Sequence, residues 1–216
     1  KFESNKNYIY CMAIEKIEKH KHYSFGLWKI EEDEDALLHE LKPKKTEEKQ
    51  IKYFNNIHRK KQNIAARLLL NNLAKQKVFL NYEQNGAPVC SFFKFISISH
   101  SKNYSMVIVS NSIVGVDIQY IKPNIIELSK KFISSKEKHQ FKKDITQLHF
   151  VWCAKEAIYK TLKQGSVSFK DNIYIEDVKH KSTTKGYYIN NKSYIKYNIY
   201  CESLSNYCIA ITNLSK

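Results

Sequence analysis

Glycine is the scarcest informative residue in this chain. Only five occur in 216 residues (Gly26, Gly86, Gly115, Gly165 and Gly186), with no two closer than 21 positions, where average usage of ~7% would give about fifteen. A Rossmann fingerprint or a P-loop needs two or three glycines within about eight positions, so that backbone amides can close on phosphate. Both are excluded, and any nucleotide must be gripped by side chains. No apolar run approaches the ~18 residues of a membrane span, and no signal-peptide core is visible near Lys1. The five cysteines (Cys11, Cys90, Cys153, Cys201, Cys208) are odd in number, scattered and never spaced C-x-x-C, which argues against a disulfide framework or a zinc site. The expectation is a cytoplasmic protein with no membrane contact. Prolines number three and no Pro/Ser-rich linker occurs, so two parts of the chain would have to pack as one unit.

Acidic residues are outnumbered, 21 against 36 Lys and Arg, for a formal charge of +15. An anionic partner would explain this, whether nucleic acid, membrane headgroups, a polyphosphate cofactor or an acidic protein. So would an AT-rich genome, since Lys, Asn and Ile are all abundant. Fifteen Tyr and eleven Phe oppose disorder, and the length suits one or two domains with a substantial core.

Strand-like composition over Tyr8–Ile14 and Tyr23–Ile30, separated by a charged, His-containing stretch, predicts a hairpin. The acidic cluster Glu31–Asp35 leads into a short helix ended by Pro43, and two helices are expected between Thr46 and Leu80. Asn85–Pro88 (NGAP) reads as a turn. Three strand-like runs follow, ending with SIVGVDIQYI, and are expected to form one antiparallel sheet. The pattern turns helical from Pro123 to Gln164, with Gly165 as a C-cap, and the remainder reads as strands. The order suggests two α+β halves meeting near Asn111, residues 1–111 and 112–216.

Four constellations could carry chemistry. In VGVDIQY the two-residue strand period places Asp117 and Gln119 on one face, opposite Val116 and Ile118. They could converge on a hard cation or its waters, or be the solvated face of an ordinary strand. In WCAKEAIYK, Trp152, Glu156 and Lys160 form one stripe at i, i+4 and i+8, which by itself is often only a surface ion pair. SISHS brings Ser99 and His100 to the end of a strand, and Arg59, Lys60, Lys61 and Arg67 stud a helix. These donors suit phosphate, arginine above all by its rigid fork; a structural His and a solvated basic face are the alternatives.

In order along the chain, the basic helix with RLLL, NGAP, SISHS, VGVDIQ, KPNIIELSKKFISSKE and FVWCAKEAIYK resemble an Sfp-type 4′-phosphopantetheinyl transferase of the holo-acyl-carrier-protein synthase superfamily, over roughly Lys42–Gly165. The resemblance implies an α+β pseudo-dimer of two similar halves, each an antiparallel sheet packed with helices, with the active site in the cleft between them. It implies Mg²⁺-dependent transfer of phosphopantetheine from coenzyme A to a serine of an acidic apo carrier protein by a monomeric enzyme. Fatty-acid, polyketide and peptide carriers all fit. By matching positions, Asp117 and Glu156 would be metal ligands with Gln119 beside them, and Glu156 and Lys160 the catalytic pair. Arg67, Gly86, Pro88, Ser99, His100, Lys155 and Lys160 would contact coenzyme A. The match departs from the family pattern at Gln119, where the usual residue is glutamate, and at Ala87, where a lysine is usual. A nucleic-acid-binding module and a coenzyme A-binding fold without turnover are the competing readings; the acidic Asp117 and Glu156 speak against the first.

Overall fold

The computed structural model describes residues 14–138, 140–141, 144–162 and 166–215. A first sheet has the order β1-β2-β6-β5 and is antiparallel throughout. Its strands are β1 (Ile14–Lys19), β2 (Tyr23–Lys29), β5 (Phe95–Ser101) and β6 (Tyr104–Ser110). The opening hairpin exists, but its first strand is IEKIEK, the stretch read from sequence as a charged connection; Tyr8–Ala13 lie outside the described residues. Charge is tolerated there because β1 is an edge strand, and Lys16 finds Glu18 at 2.8 Å and Glu202 at 3.2 Å.

Between β2 and β5 lie α1 (Glu34–Leu41), α2 (Lys45–Lys52), α3 (Ile57–Ala74) and a hairpin of β3 (Leu80–Tyr82) with β4 (Pro88–Cys90). Asp33 caps α1 by accepting from Ala36 N, and Asn56 caps α3 by accepting from His58 N and Arg59 N. The expected NGAP turn closes the small hairpin with Gly86 at φ +82, left-handed backbone that glycine adopts without strain. Ile64, Ala65, Leu68 and Leu69 of α3 share a core with Trp28, Val107 and Val109 of the sheet.

The second half is β7 (Val114–Tyr120), α4 (Ile125–Phe132), α5 (Ile145–Tyr159), β8 (Ile173–Ile175), β9 (Ser182–Asn190), β10 (Ser193–Leu204) and β11 (Tyr207–Leu214). Its antiparallel sheet has the order β7-β11-β10-β9-β8. Val151, Ala154 and Ile158 of α5 pack on Ile175, Ile199 and Cys208. The helix ends at Tyr159 with Lys160 as its C-cap; Gly165 lies outside the described residues. The fold is α+β. Among the described residues no helix is long and apolar enough to cross a membrane.

One expectation fails instructively. β7 does not extend the sheet of β5 and β6; it is the edge strand of the second sheet, paired with β11. It nevertheless runs alongside β5, and alternate serines join the two. The Ser97, Ser99 and Ser101 hydroxyls accept from Val116 N, Ile118 N and Tyr120 N at 3.2, 3.2 and 2.9 Å. The constant offset makes the strands parallel, with side-chain oxygens standing where backbone carbonyls would otherwise satisfy these amides. Behind this seam, Phe25, Leu27, Met106 and Ile108 of one sheet pack against Val116, Ile118, Ile209 and Ile211 of the other.

Candidate functional site

The strand period sends β5 side chains two ways. Ser99 faces β7, while Ile98 and His100 face α3 and line a cavity of about 560 Å³. That volume is within the range of small-molecule sites, roughly 300–1,000 Å³. Arg59, Tyr53, Phe54, Tyr82, Gly86 and Pro88 form much of the remaining wall. Nη1 of Arg59 abuts the His100 imidazole, 2.6 Å from Nδ1. Burial, and then the charges of Arg59 and Lys160, pull His100 down to about 4, so its ring is neutral and free to accept from Arg59. A cation, a neutral imidazole, aromatic faces and open backbone at Gly86 suit an anionic, ring-bearing ligand.

On the other side of the seam, Gly115 lets α5 approach β7 closely, since a Cβ there would lie 2.0 Å from the Ala157 carbonyl oxygen. The approach brings the end of α5 onto Asp117. Lys160 Nζ donates to Asp117 Oδ1 at 2.7 Å and to Val116 O at 2.9 Å. Ser99 Oγ donates to the same Oδ1 at 2.7 Å, and Gln119 Nε2 donates to Oδ2 at 3.0 Å. Asp117 is 2% exposed. Glu156, half-buried one helical turn before Lys160, is pushed up to about 7, first by burial and then by the Asp117 charge, with Lys160 opposing. It opens onto a shallow groove lined by Phe132, Trp152, Tyr159 and Phe169.

The donor set accommodates one hard divalent cation. Two neighbouring carboxylates, Asp117 and Glu156, and an adjacent amide are oxygen ligands of the kind Mg²⁺ takes, with waters completing the shell; burial and the Asp117 charge, which together raise Glu156, are penalties that a bound cation would relieve. Among the described residues no three His, Cys, Asp or Glu converge on one metal position. The Gln119 amide thus adds a dipole where an acid would add charge.

Several expected contacts are placed elsewhere. Arg67 has no exposed surface; it donates to Asn63 Oδ1, Glu47 Oε1, Leu80 O and Gln50 Oε1 at 3.0, 3.2, 3.2 and 2.7 Å. Lys155 is equally buried, its Nζ within 2.7–2.8 Å of Glu137 Oε2 and the carbonyls of Phe132, Phe169 and Ile173. Burial pulls both cations down from their usual ranges, each glutamate opposing. Both side chains are therefore internal braces, with their hydrogen bonds made inside the protein. Ser99 faces Asp117 rather than the cavity. Lys60 turns toward Glu34, 3.7 Å away. Arg59, His100, Gly86 and Pro88 share the cavity, and Asp117, Gln119, Glu156 and Lys160 share the acidic end.

Sequence reasoning missed Tyr53, Phe54, Asn63 and Tyr82 as cavity residues and Glu47 and Glu137 as partners of the buried cations. Position offered a signal for the cations: Lys155 lies at i+4 from Val151 and i−3 from Ile158, within the apolar stripe. Residues 113–212 match the family model of the 4′-phosphopantetheinyl transferase superfamily. No curated protein matches the sequence.

Proposed function

Residues 113–212 form a domain of the 4′-phosphopantetheinyl transferase superfamily, and on that premise we propose that the protein transfers the phosphopantetheine arm of coenzyme A to a serine of an acidic apo carrier protein. The observation that carries this reading is the arrangement on β5: His100 serves the cavity and the adjacent Ser99 serves Asp117, so an anion-binding pocket and a carboxylate pair meet at consecutive residues.

In this reading the adenosine end of coenzyme A occupies the cavity, its phosphate against Arg59 and His100 and its base near Gly86 and Pro88. Asp117 and Glu156 would hold Mg²⁺ with Gln119 and water. The cation, when bound, would neutralise charge developing on the pyrophosphate as the phosphoanhydride breaks. Glu156 takes the proton of the incoming serine hydroxyl, a role suited to a carboxylate that titrates near 7. The serine oxygen bonds the phosphorus of the phosphopantetheine phosphate as that phosphorus loses its bridging oxygen to 3′,5′-ADP. Lys160, two of its N–H groups fixed by Val116 and Asp117, directs the third at the departing phosphate. The positive balance of the chain, +15, favours encounter with an acidic carrier.

Incubating the protein with coenzyme A, Mg²⁺ and a panel of apo acyl, polyketide and peptidyl carriers, followed by intact-mass measurement, tests the proposal. A carrier heavier by one phosphopantetheine group is expected. No mass increase on any carrier would overturn it.

A further inference from the structure

Behind the cavity wall, a chain of hydrogen bonds runs from a buried carboxylate to a phenol, and its polarity follows from chemistry alone. Glu47, 2% exposed, accepts from Arg67 Nη1 at 3.2 Å. Arg67 Nε lies 3.0 Å from one terminal atom of Asn63. A guanidinium only donates, so that atom is the amide oxygen. The other terminal atom of Asn63, 2.8 Å from the Tyr82 hydroxyl, is therefore the NH₂ group, which also only donates. Tyr82 oxygen must accept, and its own proton is directed elsewhere. No described residue takes that proton. Tyr82 and Asn63 both line the cavity beside Arg59, and the Tyr82 hydroxyl is close enough to feel the charges of both Arg67 and Arg59.

We infer that Tyr82 is a specificity-determining contact, donating its phenolic proton to a phosphate oxygen of the ligand bound in the cavity, and that Asn63 and Arg67 are positioning residues that aim it. The inference rests on the proposed coenzyme A site and names the 3′-phosphate as the acceptor, because the Arg59 guanidinium and the neutral His100 ring stand on the same wall. It gives the buried Arg67 a part in ligand recognition without contact: the arginine sets the Asn63 amide, which sets the phenol.

Tyr82→Phe keeps the ring and removes the proton. Calorimetric titration of the full chain with coenzyme A should show about a tenfold weaker Kd, as expected for loss of a hydrogen bond to a charged acceptor, with an unchanged melting temperature. Dephospho-coenzyme A, lacking the 3′-phosphate, should bind wild type and Tyr82→Phe equally. Asn63→Asp supplies the second test. An aspartate still accepts from Arg67 but offers Tyr82 only acceptor oxygens, turning the phenolic proton away from the cavity. It should reproduce the affinity loss of Tyr82→Phe, and the double variant should be no weaker than either single one; a purely structural role for the two residues would give additive losses. Wild-type affinity in Tyr82→Phe, or an equal loss toward dephospho-coenzyme A, would overturn the inference alone. No coenzyme A binding by wild type would overturn the proposed function and the inference with it.

Discussion

Each half of the molecule has one long helix, and each helix presents a pair of like cations. On α3 they are its two arginines, Arg59 and Arg67; on α5 and its C-cap they are Lys155 and Lys160. In each pair one cation is withdrawn into the protein with a glutamate, Arg67 with Glu47 and Lys155 with Glu137, and the other stands at a candidate site, Arg59 on the cavity wall and Lys160 against Asp117. The withdrawn partners differ in kind. Lys155 takes three carbonyls from three separate segments, so it ties the last residue of α4, the segment before β8 and β8 itself to α5. Arg67 takes side-chain amides that end at the cavity wall. A buried charge is a brace in both halves, but only in the first do its hydrogen bonds lead on, through Asn63 and Tyr82, to a cavity wall. Buried ion pairs seldom add net stability, while loss of one partner is costly because the other charge stays unpaired.

Asp117→Ala should give the largest effect, lowering the rate of carrier modification by at least ~10³-fold, since the carboxylate anchors both Lys160 and the proposed cation. Folding should survive, and a full rate in the mass assay would remove Asp117 from the site. Lys155→Met comes next. It strands Glu137 in the core at a cost of about 3–5 kcal/mol, a fall in melting temperature of roughly 10 °C; an unchanged melt would break the distinction between inner and outer cations. Lys160→Ala sharpens it from the other side, with kcat expected to drop about 10²-fold while the melting temperature falls less than in Lys155→Met, because Lys160 is partly exposed and Asp117 keeps its hydrogen bonds from Ser99 and Gln119. The fourth prediction concerns pH. Because Glu156 is raised from the usual glutamate range to about 7, the folded state holds its proton more tightly than the unfolded state. Its stabilising contribution is present below pH ~4.5 and is lost as pH rises through 7. In metal-free protein, Glu156→Gln should therefore melt a few degrees above wild type at pH 8 and level with it at pH 4.5, with Mg²⁺ closing the gap by stabilising wild type. The smallest effect is assigned to Ser99→Ala: a few-fold rise in the Mg²⁺ concentration for half-maximal rate, with the KM for coenzyme A unmoved. A selective loss of coenzyme A affinity would return Ser99 to the cavity.

Local signals carried much of this reading. The apolar period of α3, the acidic start of α1, the NGAP turn and the alternation of GVDIQ each express interactions a few residues apart, and each stands where expected. Partnerships between distant residues were hidden. β7 pairs with β11, some ninety positions later, and nothing within SIVGVDIQYI distinguishes that partner from the nearer β6. Arg67 and Lys155 stand at positions where the family resemblance implies ligand contacts, and the acids that claim them instead lie 20 and 18 residues away on other elements, beyond the reach of local pattern. Charge on IEKIEK hid the first strand because an edge position, which excuses the charge, is a property of the finished sheet. At the acidic end, strand and helix periods put Asp117 with Gln119 and Glu156 with Lys160, but each pair alone reads equally as a solvated surface; only the family resemblance of the two motifs joined them, and the structure brings the four together.

The alternate serines of β5 have a metric consequence. A slip of one residue against β7 would put Ile96, Ile98 and His100 opposite Val116, Ile118 and Tyr120 and leave three amides without acceptors, so the two strands have one permitted alignment. That alignment works as a ruler. His100 and Asp117 belong to different halves, yet their separation is fixed by the rise of a single strand residue and the width of one seam. The span between the cavity and the carboxylates, which the proposed function assigns to the two ends of one ligand, is thereby written into the spacing S-x-S-x-S.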